Sequence, residues 1–295
     1  MYSIPYNRLF VALIAFYDII AVYQNEMGDT MALDLRYGKD DENRNLRTTF
    51  DTAAENYDAA RPRYCPELFG SILDRAALKK DACLLEIGPG TGQATQAFLE
   101  TGCPITAVEL GENMAQFLRE KYAARKQLHV WQGDFLEFPE DQNYDLIYSA
   151  TAFHWIPREP GLAKVKRLLK PGGTLALFWN HPTIDPGCDE TVQQVYSSFG
   201  HTRNSAKPFD GSSCPDYVKA LEDAGFRKVH YRLFHGTRVL SGAQYVQLMR
   251  TYSDHIALPE EKRTALEQAM QQSIETVLEN KLIIRDVMDL YLAAK

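Results

Sequence analysis

An α/β fold built on a mostly parallel sheet with helices on both faces is what this sequence predicts, and three observations predict it. Between residues 83 and 178 short apolar runs alternate with turns and helix-patterned segments, the rhythm of parallel βαβ units. The first run, Cys83 to Ile87, breaks into Gly88-Pro89-Gly90-Thr91-Gly92, three glycines at every second position, before an Ala- and Leu-containing helical segment. The second, Ile105 to Leu110, ends on an acid, Glu109, about twenty residues after Gly88, the spacing at which a carboxylate reaches ribose hydroxyls.

Each element has its reason. Glycines at 88, 90 and 92 permit a tight strand-to-helix turn and a close ligand approach. The amides that open the following helix attract a polar or negative group. A dinucleotide fingerprint would need Gly or Ala where Gln93 stands. Leu128 to Phe135 reads as a third strand ending in Gly133-Asp134-Phe135, and Tyr144 to Ser149 as a fourth. Lys170-Pro171-Gly172-Gly173 then turns the chain into a fifth strand reaching Phe178. Asn113 to Arg125 reads as an amphipathic helix whose stripe (Met114, Phe117, Leu118, Tyr122) is core packing, not a ligand site. Past the fourth strand come Phe153, His154 and Trp155, at a strand end where open α/β sheets bind ligands. His154 is a candidate general base, with a packed, hydrogen-bonded histidine as the alternative. Helical patterns over 189–199, 215–224, 241–252 and 259–279 surround a sixth strand, Phe226 to Phe234, and Leu282 to Leu292 closes the chain as an edge strand.

Glu86-x-Gly88-x-Gly90-x-Gly92, the acid-ended second strand, Gly-Asp-Phe and Lys-Pro-Gly-Gly, in that order, resemble the class I S-adenosylmethionine-dependent methyltransferases of type 11. The stretch Phe50 to Pro66 resembles the cap of the group around trans-aconitate methyltransferases. The resemblance implies a Rossmann-like, seven-stranded, mostly parallel sheet of order 3-2-1-4-5-7-6 with its seventh strand antiparallel, a helical N-terminal cap and helical lid insertions. It implies S-adenosyl-L-methionine as cofactor, with Glu86, Gly88, Gly90 and Gly92 at its methionine side. Glu109 and Leu110 would lie at the ribose, Asp134 at the adenine amino group, Phe135 against the ring, and Ser149 at the end of the fourth strand. Tyr57 and Arg61, with Tyr64, would close over the methionine end from the cap. Phe153 and Trp155, with Tyr252, Ser253 and His255 from a lid turn, would contact substrate.

At 295 residues the chain can bury a sizeable core. Residues 1–47 read as an N-terminal extension; translation starting at Met27 or Met31, or a helix packed on protein or on a membrane surface, are its alternative readings. Residues 48–295 read as one methyltransferase domain, with cap 48–80, cofactor-binding core 81–180, and lid with the C-terminal sheet part 181–295. The apolar stretch Leu9 to Val22 is too short to span a bilayer, so no stable membrane insertion is expected. A net charge of −7 and the lack of a Lys/Arg run argue against nucleic acid as partner, as does the missing Asn/Asp-Pro-Pro motif of nucleic-acid amino-methylating enzymes. Five scattered cysteines with no Cys-x-x-Cys pair suit a reducing cytoplasm and suggest neither metal site nor disulfide. The expected reaction is methyl transfer from S-adenosylmethionine to a small-molecule acceptor, at a carboxylate or hydroxyl oxygen. A cofactor-binding sensor without turnover is the alternative.

Overall fold

The computed structural model describes residues 58, 60–200, 208–256 and 258–295, the side chains of Ser253 and Asp254 apart. The expectations for residues 1–47 and for Tyr57 lie outside them. Helix α1 (Pro66–Ala76) opens on a proline, whose missing N–H is no loss in a first turn, and stops where Ala77 turns left-handed. Strand β1 (Leu84–Ile87) is buried at every position. After it come α2 (Thr95–Leu99), β2 (Ile105–Glu109), α3 (Glu112–Lys121), β3 (Leu128–Gln132), β4 (Tyr144–Ala150), α4 (Arg158–Leu168) and β5 (Leu169–Ile184). The chain continues with α5 (Pro186–Ser198), α6 (Cys214–Asp223), β6 (Arg227–Leu240), α7 (Gly242–Met249), α8 (Ser253–Ile256), α9 (Glu260–Val277) and β7 (Leu282–Ala294).

The seven strands form one sheet of order β3-β2-β1-β4-β5-β7-β6. Pairing is parallel from β3 to β5 and antiparallel where β7 meets β5 and β6. The Lys170-Pro-Gly-Gly turn shifts the β4–β5 register, from Tyr144 opposite Leu169 to Leu146 opposite Thr174. The strand order is the one the resemblance implies, so reading Leu282 to Leu292 as an edge strand is corrected: β7 is internal, and β6 is the edge. Composition gives the reason, because β7 is buried almost throughout and needs both faces covered, whereas β6 carries polar residues on an exposed flank. Strand β6 also extends well beyond Phe234, to Leu240.

Two cores flank the sheet. Leu162, Val165, Tyr217 and Leu221 of α4 and α6 pack on one face. Leu68, Ile72, Phe98 and Leu118 of α1, α2 and α3 pack on the other. A third cluster joins α5, α7 and α9 through Val192, Val246, Leu248, Met270 and Ile274, and so forms a lid inserted after β5 and between β6 and β7. Ser241 and Gln244 close a reciprocal capping box at the start of α7. Among the described residues no helix is long and apolar enough to cross a membrane, and no group of three or more His, Cys, Asp or Glu could hold a metal ion.

Candidate active site

The three glycines all take positive φ, +66, +56 and +91, yet they have different surroundings. A Cβ on Gly88 would fall 2.4 Å from that of Ala152, so the turn after β1 rests directly on the turn after β4. A Cβ on Gly92 would strike Leu118 and Tyr122 at 2.9 and 2.8 Å, and Gly92 is therefore packed inward against α3, off the cavity wall. At Gly90 the nearest atom is the Gln93 Oε1, 3.8 Å away, which leaves open space for a ligand at this backbone.

Acids fix this loop from two sides. Glu109, at the end of β2, accepts from the Gly90 N–H through Oε2 and from the Gly111 N–H through Oε1, each at 2.9 Å. It thereby pins the glycine turn to the start of α3 while lining the cavity. Glu86 alternates to the other face of β1 and supports the glycine loop from beneath, off the cavity wall, a correction to its expected contact with the methionine amino group. Its Oε2 accepts from Thr95 Oγ1 at 2.7 Å and Tyr148 OH at 3.0 Å, tying the start of α2 to β4. Its Oε1 is buried with no partner, and burial pushes the carboxyl up from 4.5 to about 7. From α3, Lys121 Nζ binds the Thr91 carbonyl at 2.9 Å and the Asp58 carboxylate at 2.6 Å, joining the N-terminal cap to the same loop.

On the flank of β3, Asp134 lines the cavity, and its Oδ1 accepts from Leu136 N at 2.8 Å, capping a single 3₁₀ turn, Phe135–Glu137. Buried Lys164 of α4 holds that turn from behind: its Nζ donates to the carbonyls of Leu136 and Phe138 and lies 5.7 Å from the Phe135 ring centre. Phe135, Leu110 and Met114 share the wall. Met114 is a second correction. It is buried on the apolar stripe of α3, as expected, but it also faces the ligand space, because the first turn of α3 starts beside the end of β2.

Beyond β4 the chain distributes consecutive residues in different directions. Ser149 turns into the sheet, its Oγ donating to the Ile87 carbonyl at 2.8 Å, and Thr151 takes the wall position instead. Thr151 has a left-handed φ of 51°, a rare state for a β-branched residue, and its Oγ1 lies 2.5 Å from the Tyr64 hydroxyl. Phe153 is fully buried in the core and does not reach the cavity, while His154 and Trp155 do. His154 Nδ1 accepts from the Trp179 indole N–H at 3.0 Å. From the cap, Arg61 lines the cavity, donates to the Thr251 carbonyl at 3.1 Å and lies 5.4 Å from the centre of the Tyr252 ring. Tyr252 is on the wall. The Ser253 side chain lies outside the described residues, and His255 is a further correction: it is buried within the lid, 3.0 Å from Tyr196 OH, and not on the cavity wall. Asn180, Pro182, Arg238 and Leu248 complete the wall from β5, β6 and α7, and nothing in their sequence context marks them.

The cavity holds about 380 Å³ over the carboxyl ends of the parallel strands. Its β2–β3 flank suits the nucleoside of the expected cofactor: an oriented carboxylate (Glu109), a capping carboxylate (Asp134), apolar side chains, and a glycine backbone with space before it. Glycine turn, acid-ended β2 and a ligand cavity at the carboxyl edge define an α/β protein that binds a nucleoside cofactor. Residues 85–177 match the family described as a methyltransferase domain. An uncharacterized methyltransferase-like protein of Schizosaccharomyces pombe, C25B8.10, is 29% identical over 234 residues, covering 78% of this chain and 87% of its own. An uncharacterized methyltransferase of Mycobacterium tuberculosis, Rv3342, is 29% identical over 234 residues, covering 79% and 88%. Malonyl-[acyl-carrier protein] O-methyltransferase of Priestia megaterium is 29% identical over 184 residues, covering 60% and 64%. A solved structure of a candidate type II methyltransferase from Anaeromyxobacter dehalogenans shares the fold at TM-score 0.54 and 18% identity, over 79% of this chain and 97% of that one. Residues 85–177 are thus a methyltransferase domain, carried on a Rossmann-like methyltransferase fold; the chain is a methyltransferase, and its cofactor is S-adenosylmethionine.

Proposed function

We propose that this methyltransferase acts on a small-molecule acceptor at oxygen, with an ionised carboxylate the acceptor best suited to the wall. The observation that carries the reading is the His154–Trp179 hydrogen bond, at 3.0 Å. An indole N–H only donates, so His154 Nδ1 is the accepting nitrogen and the proton of the neutral ring resides on Nε2. In that state the imidazole offers an N–H donor and no base. A phenol or an ammonium group would have to lose a proton; a carboxylate would not.

S-adenosylmethionine, when bound, supplies an electrophilic methyl group on a sulfonium centre. The protein's share is then to bind, orient and exclude water. Glu109 receives the ribose hydroxyls, Asp134 and Phe135 hold the adenine, and Gly88 and Gly90 let the methionine portion approach the backbone. Arg61 and Tyr64 from the cap, with Tyr252 from the lid, cover the reacting end, and His154 and Trp155 border the acceptor. The O-methyltransferase among the relatives supports an oxygen acceptor. Five cysteines without a disulfide among the described residues fit a reducing cytosol.

Incubation of the protein with methyl-labelled S-adenosylmethionine and a whole-cell extract tests this. Label is expected in small molecules, as an ester cleaved by mild base. Label confined to tRNA, rRNA or protein, or stable to base, would overturn the reading.

A further inference from the structure

The cavity is polarised along the sheet. Its carboxylates, Glu109 and Asp134, belong to the β2–β3 flank, whereas Asn180 and Arg238 come from β5 and β6 on the other flank. Antiparallel registry explains how the second group assembles. Asp286 of β7 sits opposite Pro182 of β5 and Gly236 of β6. Asn180 and Arg238 lie two residues from those partners, so all three side chains share one face. Asp286, only 2% exposed, accepts from Arg238 Nε at 2.5 Å and Nη2 at 2.9 Å, and its Oδ1 also accepts from Asn180 Nδ2 at 2.9 Å.

A guanidinium has two edges that can take a planar anion. Asp286 occupies the Nε–Nη2 edge and so fixes the ring's orientation. The Nη1–Nη2 edge carries the remaining N–H groups, on a side chain that lines the cavity and is 23% exposed. Beside it, Asn180 Oδ1 is buried with no partner, an acceptor that a donor on the ligand, such as a hydroxyl next to the anion, would satisfy. Arg61 brings another guanidinium to the same cavity from the cap. Asp286 offsets the charge of Arg238 while fixing its direction.

We propose that Arg238, oriented by Asp286 and Asn180, recognises an anionic group of the methyl acceptor. The anion, a carboxylate or a phosphate ester, is distinct from the atom that receives the methyl group, and Arg238 selects which acceptors enter. The inference rests on the small-molecule reading above.

The test uses a small-molecule extract split on an anion exchanger at pH 8, with each fraction offered to the full-length protein and methyl-labelled S-adenosylmethionine. The retained, anionic fraction should support transfer and the flow-through should not. Arg238→Gln would strand a buried Asp286 carboxylate, so the neutral pair Arg238→Gln/Asp286→Asn is the second variant. Both should slow transfer to the anionic fraction roughly 10- to 100-fold, the range for a lost charge-assisted bond, chiefly by raising KM. S-adenosylmethionine affinity, read by calorimetry, should stay within about twofold and so report an intact fold. Phosphatase treatment of the fraction separates the two anions: surviving acceptor activity assigns a carboxylate, loss a phosphate ester. A double variant with wild-type KM would overturn the role of Arg238 and leave the small-molecule reading standing; equal transfer to the flow-through would overturn both that role and the carboxylate acceptor. Label only in macromolecules would remove that reading instead.

Discussion

Glu86→Gln should make the protein more stable above neutral pH. The carboxyl is 1% exposed, and burial raises it from 4.5 to about 7. Between those values the native chain keeps a proton that the unfolded chain has released. With fewer protons bound in the unfolded state, stability falls as pH rises through this window, by about 1.4 kcal/mol per pH unit. Ionising Glu86 therefore removes about 3 kcal/mol by pH 8, opposite in sign to an ordinary salt-bridged acid. Glutamine copies the protonated carboxyl: its carbonyl can accept from Thr95 and Tyr148, and it never ionises. Urea unfolding of both proteins at pH 5, 6, 7 and 8 gives the difference directly. The variant should match wild type within about 1 kcal/mol at pH 5 and exceed it by about 3 kcal/mol at pH 8. A difference that does not change with pH would show that the Thr95 and Tyr148 hydroxyls hold the anion as comfortably as the acid, and the reasoning would fail.

Glu109→Gln can keep one of the two amide bonds, so S-adenosylmethionine binding should weaken roughly 10- to 100-fold by calorimetry; unchanged affinity would separate Glu109 from the cofactor. Gly88→Ala should lower stability by about 2–4 kcal/mol in denaturant, since the new methyl meets Ala152 within 2.4 Å. Gly90→Ala meets no such wall and should cost about 1–2 kcal/mol through its dihedral alone, while cofactor affinity drops by roughly tenfold or more because the methyl enters ligand space; equal effects of the two on stability would contradict this division. His154→Gln should leave the shape of the turnover–pH profile unchanged between about pH 6 and 8, and a titration lost with the imidazole would restore His154 as a base.

The glycine turn and the acid-ended strand were legible because their signals are local. A strand that stops at glycines and a strand that stops at Glu109 each carry their meaning within a few residues, and β1 to β5 follow from them. Periodicity placed Met114 correctly in the core but could not say that the top of α3 also faces a ligand. The turn after β4 defeated pattern reading for a different reason: with Thr151 left-handed and a 3₁₀ turn behind it, Ser149, Phe153 and His154 point to the sheet, the core and the cavity in succession. Apolar continuity in β7 marked a strand without revealing that it sits inside the sheet. Arg238, Asp286 and Asn180 were illegible altogether, since their meeting exists only through the registry of three strands more than a hundred residues apart at the extremes.

That internal position of β7 sets an order of assembly. Strands β1 to β5 can pair with one another as they leave the ribosome, and Glu109, Asp134 and the glycine turn are complete among them. Strand β6 has no neighbour in the sheet except β7, and β7 is the last of the seven to be synthesised. Asp286 arrives with it, and only then does Arg238 acquire the carboxylate that aims it. A nascent or truncated chain ending before residue 282 would therefore contain Glu109, Asp134 and the glycine turn but lack the carboxylate that aims Arg238.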